Sequence, residues 1–173
     1  EEALAVNAGF ISRITRGRPF VTAKLATTLD ARVATGRGES KWITGAQARA
    51  HGHLERARHD AIIVGAGTYE ADTPSLDCRL PGMLDFSPLK FVIKGKRQGL
   101  DIPAGVEAIE DAENGWPQPR NILAQLAAKG VGRVLIEGGP TLITSFMKAG
   151  LVDRLLWYRA PMVFGGDGRA CLD

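Results

Sequence analysis

Short apolar segments alternate along this chain with segments of helical periodicity, and several apolar segments end in glycine. Asp60–Val64 (DAIIV) and Val134–Glu137 (VLIE) are rich in branched apolar residues, as strands buried on both faces of a parallel sheet are. Glycines follow each segment, and Gly139 precedes a helical pattern. This alternation predicts an α/β fold, with a mostly parallel central sheet and helices on both of its faces.

The other elements follow from the same patterns. Further strands are predicted at Phe20–Ala26, Ala31–Thr35 (continuing the sheet after a turn at Asp30), Phe91–Ile93, Val106–Ile109 and Leu155–Ala160. Helices are predicted at Thr44–Arg58, Asn121–Lys129 and Thr141–Ala149, with Asp72–Pro88 as a loop. The spacing of Thr44 and Gln47 is that of a capping box, which would start the first helix. The residues that share an apolar face of that helix are Ile43, Ala46, Ala50, Leu54 and Ala57. In the last helix the inward residues are Leu142, Ile143, Phe146 and Met147.

Glycine is the residue in excess, at 21 of 173, or about 12% against a typical ~7%. Glycines meet predicted strand ends at Gly65–Gly67, Gly138–Gly139 and Gly165–Gly166, where a backbone without side chains can approach a ligand. In Gly138–Thr141, bare N–H groups at a helix start suit a phosphate. A tight turn that needs positive φ explains the same spacing equally well. The Gly65–Thr68 segment lacks the third glycine of a dinucleotide-binding fingerprint, so it is a weak signal alone.

Composition excludes several classes of protein. The net charge is only +3 and 6% of residues are aromatic, which disfavours a nucleic-acid binder. No apolar run is long enough to span a membrane. The two cysteines, Cys78 and Cys171, are too few for a disulfide scaffold, and with no signal peptide a cytoplasmic protein is expected. His51 and His53 point apart on a helix, so no metal site is expected.

Three charged features are candidates for chemistry. Arg49, His53 and Arg56 are spaced to form a basic stripe on one helix face, which would bind a phosphomonoester or would simply be solvated. Lys24 shares a strand face with Thr22 and Ala26, and would face a cleft or lie at a sheet edge. Glu137 ends a buried strand, where a carboxylate is costly unless a partner or ligand uses it.

Together these segments resemble the reductase domain of the bifunctional riboflavin-biosynthesis deaminase/reductases. The resemblance covers nearly the whole chain and rests on VNAGF (Val6–Phe10), RP (Arg18–Pro19), KLATTLDARVA (Lys24–Ala34), GESKWITG (Gly38–Gly45), GAGTYEADTPSLDCR (Gly65–Arg79), EGGPTL (Glu137–Leu142), LVD (Leu151–Asp153) and APMVFGG (Ala160–Gly166). It implies a dihydrofolate-reductase-like fold with three αβα layers. It also implies reduction, with NADPH, of 5-amino-6-(5-phosphoribosylamino)uracil to its phosphoribitylamino product.

The resemblance also implies site residues. The expected NADPH contacts are Ala26, Trp42, Thr68, Asp72 and the helix start Gly139, Pro140, Thr141, Leu142, Ile143, Thr144 and Ser145. The expected substrate contacts are Ser40, Arg56, Leu76, Arg79 and Glu137. Trp42 would cover part of the cofactor and exclude water, and the two arginines would hold the substrate phosphate. The ribosylamine would open to an imine and accept a hydride at C1′, with Lys24 or Glu137 assisting ring opening by proton transfer.

The chain departs from the family pattern in three places. Thr28 and Ala31 stand where the family usually has Ser and Gly, and after Ile93 an Asp-Ser pair and a strand are missing. The zinc signature of the deaminase half is absent. Residues 1–17 resemble only the trailing end of that half, so we expect them to be a linker and residues 18–173 to be the reductase domain.

Two alternatives stay open at this stage. One is a pterin reductase of the same fold, which needs a carboxylate for the pterin ring but no phosphate clamp, so that Arg56 and Arg79 argue against it. The other is an inactive module that binds anions or oligomerises. The resemblance implies a homodimer, for which Leu155 and Trp157 of the last strand would supply apolar surface.

Overall fold

The computed structural model describes residues 2–40, 43–97, 99–110 and 116–173. Its strands are β1 (Phe20–Thr27), β2 (Arg32–Ala34), β3 (Ala61–Gly65), β4 (Leu89–Ile93), β5 (Val106–Ile109), β6 (Arg133–Glu137), β7 (Arg154–Arg159) and β8 (Arg169–Ala170). Its helices are α1 (Glu2–Val6), α2 (Ala8–Arg16), α3 (Ala46–Ala57), α4 (Ala66–Asp72), α5 (Pro119–Ala128) and α6 (Pro140–Lys148), with a 3₁₀ turn at Leu84–Phe86. None of the helices in these ranges is long and apolar enough to cross a membrane.

The central sheet has six strands in the order β5-β4-β3-β6-β1-β7, and every pair in it is parallel. The α/β prediction is therefore confirmed. One face of the sheet carries the larger apolar core, in which Phe91, Ile136 and Phe146 are fully buried against α5 and α6. The opposite face carries a smaller core that includes Ile62 and Leu135. Helices thus cover both faces, as parallel strands require.

The register of β1 sets the geometry of the site. Lys24 of β1 lies opposite Glu137 of β6, and Ala26 lies opposite Tyr158 of β7. Because side chains alternate along a strand, Lys24 and Ala26 lie on one face of the sheet, together with Thr22. Parallel strands also bring their carboxyl ends to the same edge. The end of β1 is therefore flanked by Glu137 on one side and Tyr158 on the other.

Three local predictions are wrong. The segment after Asp30 does not continue the central sheet, because β2 pairs with β8 in a separate antiparallel ribbon. Helix α3 begins after Gly45 without a side-chain cap, so Thr44 and Gln47 form no capping box. Met147 is exposed, because it lies on the outer side of α6.

The buried face of α3 also differs from the predicted apolar face. Ala46 and Ala50 are exposed, whereas Gly52 and Glu55 are buried. A Cβ on Gly52 would meet no atom within 4 Å, so close packing is not the reason for its burial. Glu55 is buried because Arg58 and Arg154 contact its carboxylate. Charge pairing, which a hydrophobic pattern does not report, therefore decides the orientation of this helix.

The first two helices contact the amino-terminal edge of the sheet. Arg133 donates to the carbonyl oxygens of Ala5 and Val6, and Arg13 donates to that of Gly130. Close packing places Gly9 against Arg133, where a Cβ would lie 2.7 Å from the arginine side chain. Residues 2–16 are thus helical and attached to the domain through backbone acceptors.

Asp153 joins the chain before β1 to the start of β7. Its carboxylate accepts two hydrogen bonds from Arg18, at 2.6 and 2.8 Å, and one from the backbone N–H of Val21 at 2.8 Å. Arg16 adds a further ion pair. Burial disfavours the carboxylate, but the hydrogen bonds from Arg18 and Val21 outweigh it and lower the pKa of Asp153.

We expect Asp153→Asn to lower the free energy of unfolding by about 2 kcal/mol at pH 7, because it removes charged hydrogen bonds and keeps the volume. A lowered pKa in the folded state means that the wild-type carboxylate stabilises the fold above its unfolded pKa. That stability is lost as the pH falls below its ordinary value of 3.8. Urea denaturation at pH 7 and pH 3 measures both effects. Asp101→Asn, at an exposed position, is the control, and a deficit that is the same at both pH values would contradict the prediction.

Candidate active site

Two adjoining cavities open at the carboxyl end of the central sheet. The smaller has a volume of about 260 Å³ and the larger about 670 Å³. Both are lined by Lys24, Ala26, Val33 and Ser40, so these four residues mark the place where the cavities meet. Ligand sites of open α/β sheets lie at this edge.

The smaller cavity has a mostly cationic wall. Helix α3 contributes Arg49, His53 and Arg56 to this cavity. The prediction that these residues form one basic stripe is confirmed. Arg79 comes from the loop after α4, and Tyr158 comes from the edge strand β7. The charged residues on this wall are Lys24, Arg49, Arg56, Arg79 and Glu137. A cavity with this excess of positive charge suits an anionic ligand.

Glu137 and Arg56 form the central ion pair of the smaller cavity. The Nε and Nη2 groups of Arg56 donate to the two carboxylate oxygens at 2.8 and 2.9 Å, and Nη1 donates to the carbonyl of Asp77 at 2.9 Å. Burial disfavours the Glu137 carboxylate, but Arg56 and the nearby Lys24 outweigh it and lower the pKa of Glu137. Glu137 is therefore an ionised acceptor of hydrogen bonds near neutral pH.

Lys24 lies between Glu137 and Tyr158. Its Nζ is 3.9 Å from a carboxylate oxygen of Glu137 and 5.9 Å from the centre of the Tyr158 ring. The predicted cleft position of Lys24 is thus confirmed, since the side chain lines both cavities. A cation fixed at the junction can stabilise negative charge that develops on a ligand there.

His53 and Arg79 are connected through the loop after α4. The Nδ1 atom of His53 lies 3.2 Å from both the Asp77 carbonyl and the Arg79 backbone nitrogen. Burial and the neighbouring Arg56 cation lower the pKa of His53. The Arg79 side chain is largely exposed, with its Nε 3.8 Å from Asp77. Arg79 can therefore move onto a ligand with little desolvation cost.

The larger cavity is built around the glycine turn between β6 and α6. Gly138 and Gly139 both have positive φ, and Pro140 stands at the start of α6. A Cβ on Gly138 would lie 2.8 Å from Thr68 Cγ2, and one on Gly139 would lie 3.2 Å from Thr68 Oγ1. The turn thus needs glycine both for its conformation and for its contact with Thr68. Its backbone and the start of α6 suit a phosphate group.

Most of the predicted site residues line these cavities. The larger cavity includes Ala26, Thr68, Asp72, Gly139, Pro140, Thr141, Leu142 and Ile143, and the smaller includes Ser40, Arg56, Arg79 and Glu137. Leu76 instead has its side chain in the core. Thr144 accepts a hydrogen bond from the Asp173 backbone, and Ser145 donates to the Leu142 carbonyl, so the second turn of α6 faces away from the cavity. Trp42 lies outside the described residues.

Several residues that line the two cavities were not predicted from the sequence. The larger cavity also contains Arg97, Trp116 and Arg169, and the smaller also contains Tyr158. Tyr158 follows from strand alternation once β7 is placed beside β1, whereas Arg97 and Trp116 lie in an irregular connection with no periodic signal. Gly165–Gly166 was expected near a ligand, but the Gly165 N–H donates to Asp30 instead.

Comparison with known proteins identifies the family. The model of the RibD C-terminal domain matches residues 19–173. The chain belongs to the RibD C-terminal domain family. It is 40% identical over 163 residues to riboflavin biosynthesis protein RibD of Mycobacterium tuberculosis, covering 91% of this chain and 46% of that protein. The chain spans about half the length of the curated relatives it matches.

Solved structures of this family show the same fold. One is a diaminohydroxyphosphoribosylaminopyrimidine deaminase/5-amino-6-(5-phosphoribosylamino)uracil reductase from Thermotoga maritima, with a TM-score of 0.84 and 29% identity over 98% of this chain and 52% of that one. Another is Acinetobacter baumannii RibD, with a TM-score of 0.85 and 30% identity over 99% of this chain and 54% of that one. The RibD resemblance and the dihydrofolate-reductase-like fold are thereby confirmed.

We expect Arg56→Gln to lower the free energy of unfolding by about 3 kcal/mol, because it leaves the buried Glu137 carboxylate without its main partner. Arg120→Gln is the control, since Arg120 lies at an exposed position of helix α5. Chemical denaturation at pH 7 measures both variants. Equal losses for the two variants would contradict a special contribution from the Arg56–Glu137 pair.

Proposed function

We propose that this domain reduces 5-amino-6-(5-phosphoribosylamino)uracil to the phosphoribitylamino product with NADPH, in riboflavin biosynthesis. The observation that carries the proposal is the junction of the two cavities at Lys24, Ala26, Val33 and Ser40. Hydride transfer needs a cofactor and a substrate in direct contact, and adjoining cavities of different character provide that arrangement. Membership of the RibD family supports the same reaction.

The larger cavity fits a nicotinamide dinucleotide phosphate. A Cβ at Gly138 or Gly139 would occupy the space next to Thr68, so glycine keeps that space open. The start of α6 beside it suits a pyrophosphate. Arg169 places positive charge on the same wall, and Arg97, which forms an ion pair with Glu70, lies there as well. The additional phosphate of NADPH requires such cations. When bound, the reduced nicotinamide supplies the hydride for C1′ of the substrate.

The smaller cavity fits the phosphorylated sugar. Arg56 keeps one N–H on each terminal nitrogen after its bonds to Glu137 and Asp77. Arg79 is exposed and adjacent, so both arginines can hold a phosphate group. The ionised Glu137 accepts hydrogen bonds from sugar hydroxyls.

Of the two candidates for assisting ring opening, Lys24 suits the task better than Glu137. The lowered pKa of Glu137 keeps this group ionised, so it has no proton to donate. Lys24 is a cation at the junction, where it stabilises the charge that develops on the sugar ring oxygen as the C1′–oxygen bond breaks.

The pterin alternative is weakened by the same ion pair. A pterin ring would donate two parallel N–H bonds to a carboxylate, and Arg56 already occupies that paired site on Glu137. A sugar hydroxyl needs only one of the lone pairs that remain on the two oxygens. A pterin also has no phosphate group for the cationic wall to bind.

We propose in addition that the domain forms a homodimer in the cytoplasm. The edge strand β7 exposes 41% of Leu155 and 46% of Trp157, and an apolar sheet edge is a favourable surface for self-association. Both cysteines are buried free thiols, which a reducing compartment preserves.

We expect Gly138→Ala to weaken NADPH binding at least tenfold, because a Cβ would collide with Thr68 inside the larger cavity. Gly150→Ala is the matched control: Gly150 has a φ of +65°, but a Cβ there would contact nothing within 4 Å. Titration of NADPH fluorescence measures both dissociation constants. Similar weakening by both variants would show that the glycine turn does not bind the cofactor.

The central test is whether NADPH is oxidised when the phosphoribosylaminouracil is added.

In Arg79→Ala we expect KM to rise about tenfold or more with little change in kcat, because the variant loses a phosphate contact. The dephosphorylated nucleoside is the control substrate, for which the variant and the wild type should not differ. An unchanged KM for the phosphorylated substrate would remove Arg79 from the phosphate clamp.

A further inference from the structure

This inference rests on the proposed reduction, which consumes a proton as well as a hydride. Opening of the sugar ring leaves negative charge on the ring oxygen, and a proton must reach that oxygen. Glu137 does not supply it, because Arg56 holds this carboxylate ionised. Lys24 is paired with Glu137 and serves as a fixed cation. A neutral hydroxyl on the cavity wall can supply the proton without removing either charge of the Lys24–Glu137 pair.

Tyr158 is a protic group on the wall of the smaller cavity. It lines the smaller cavity from β7 and lies in register with Ala26 of β1. Its ring centre is 5.9 Å from Lys24 Nζ. A ligand that contacts Lys24 and Glu137 in this cavity therefore also comes near the phenol.

His51 connects the phenol to solvent. The Tyr158 oxygen lies 2.6 Å from His51 Nδ1, and the two rings meet edge to face with centres 5.8 Å apart. On the other side of the imidazole, Nε2 lies 3.8 Å from the buried Glu55 carboxylate. The His51 side chain is 45% exposed, so water reaches it. A continuous set of titratable groups thus runs from the cavity wall to the surface.

The charges around Tyr158 keep its proton in place until it is needed. The charged and titratable groups that surround it are Lys24 on β1, His51 and Glu55 on α3, Glu137 on β6 and Arg154 on β7. Burial and the two glutamates raise the pKa of Tyr158, although Arg154 acts in the opposite direction. The phenol is therefore neutral at the pH of the cell, with a hydroxyl that can donate.

We infer that Tyr158 donates the proton to the sugar ring oxygen of the substrate, and that His51, oriented by Glu55, replaces that proton from solvent. As the C1′–oxygen bond breaks, the electron pair of the exocyclic nitrogen forms an iminium, and the ring oxygen takes the Tyr158 proton. C1′ of the iminium would then accept the hydride that bound NADPH supplies, and the electron pair would return to nitrogen. His51 gives its Nδ1 proton to the phenolate while Nε2 takes one from solvent. Exchange of the ring protons with water at this exposed side chain then restores the starting tautomer. Tyr158 is a catalytic residue in this scheme, and His51 and Glu55 are positioning residues.

The test compares Tyr158→Phe with Tyr69→Phe in the whole chain. Both variants lose a phenol hydroxyl, but Tyr69 is a core residue and lines neither of the two cavities. We expect kcat of Tyr158→Phe to fall on the order of 100-fold, with a larger solvent deuterium isotope effect. Its NADPH dissociation constant and KM should stay within about twofold of those of the wild type, because the phenol acts in the chemical step. Tyr69→Phe should keep the wild-type kcat.

A second variant tests the same proton route if Tyr158→Phe does not fold. His51→Ala changes an exposed side chain, and we expect kcat to fall at least tenfold and to recover when imidazole is added, as for a proton carrier. A merely structural role would not respond to imidazole. If the wild type does not oxidise NADPH when the phosphoribosylaminouracil is added, the proposed function itself is wrong. An active wild type with Tyr158→Phe as active as Tyr69→Phe, or without imidazole rescue of His51→Ala, would overturn the proton route alone.

Discussion

A buried carboxylate at the end of β6 determines how the elements around the site are arranged. Isolated in an apolar sheet, the ionised Glu137 would be costly, and Arg56 removes that cost with two hydrogen bonds to its oxygens. The bond from Arg56 to the Asp77 carbonyl extends the same link to the loop after α4. A helix, a strand and a loop are thus held together by one guanidinium group, and the cationic wall of the smaller cavity follows from that attachment.

The division between the two cavities depends on a second constraint, the parallel register of β1 with its neighbours. Because Lys24 lies opposite Glu137 and Ala26 lies opposite Tyr158, β1 presents a cation and then a methyl group at the junction. The small side chain of Ala26 leaves space for two ligands to meet there. On the other side of the junction, Gly138 and Gly139 allow the chain to pass closely over Thr68, so the larger cavity begins where the smaller one ends.

Local sequence patterns predicted the central sheet well, but they predicted poorly which distant strands pair and which face of a helix is buried. The strands of the central sheet and helices α3, α5 and α6 follow from apolar periodicity, and Val106–Ile109 has the predicted bounds. Helix α4 (Ala66–Asp72) was not predicted. Periodicity failed at β2, which pairs with a two-residue strand over a hundred residues later, because long-range pairing leaves no local signal. It also failed on α3, where the buried residues are a glycine and a glutamate. Most wall residues came from the family resemblance, while Tyr158 and Arg169 became visible only when their strands were placed.

The buried charges explain why this site combines rigid and mobile parts. Arg56 and Glu137 satisfy each other, so the smaller cavity is formed in advance and a ligand does not have to assemble it. Arg79 and His51 are more exposed, and the roles proposed for them both require exchange, one with an arriving phosphate and the other with water. Burial therefore separates the groups that must hold a fixed charge from those that must change partners. The same separation argues against Glu137 as a proton donor, since a carboxylate fixed by two hydrogen bonds is stabilised in its ionised form.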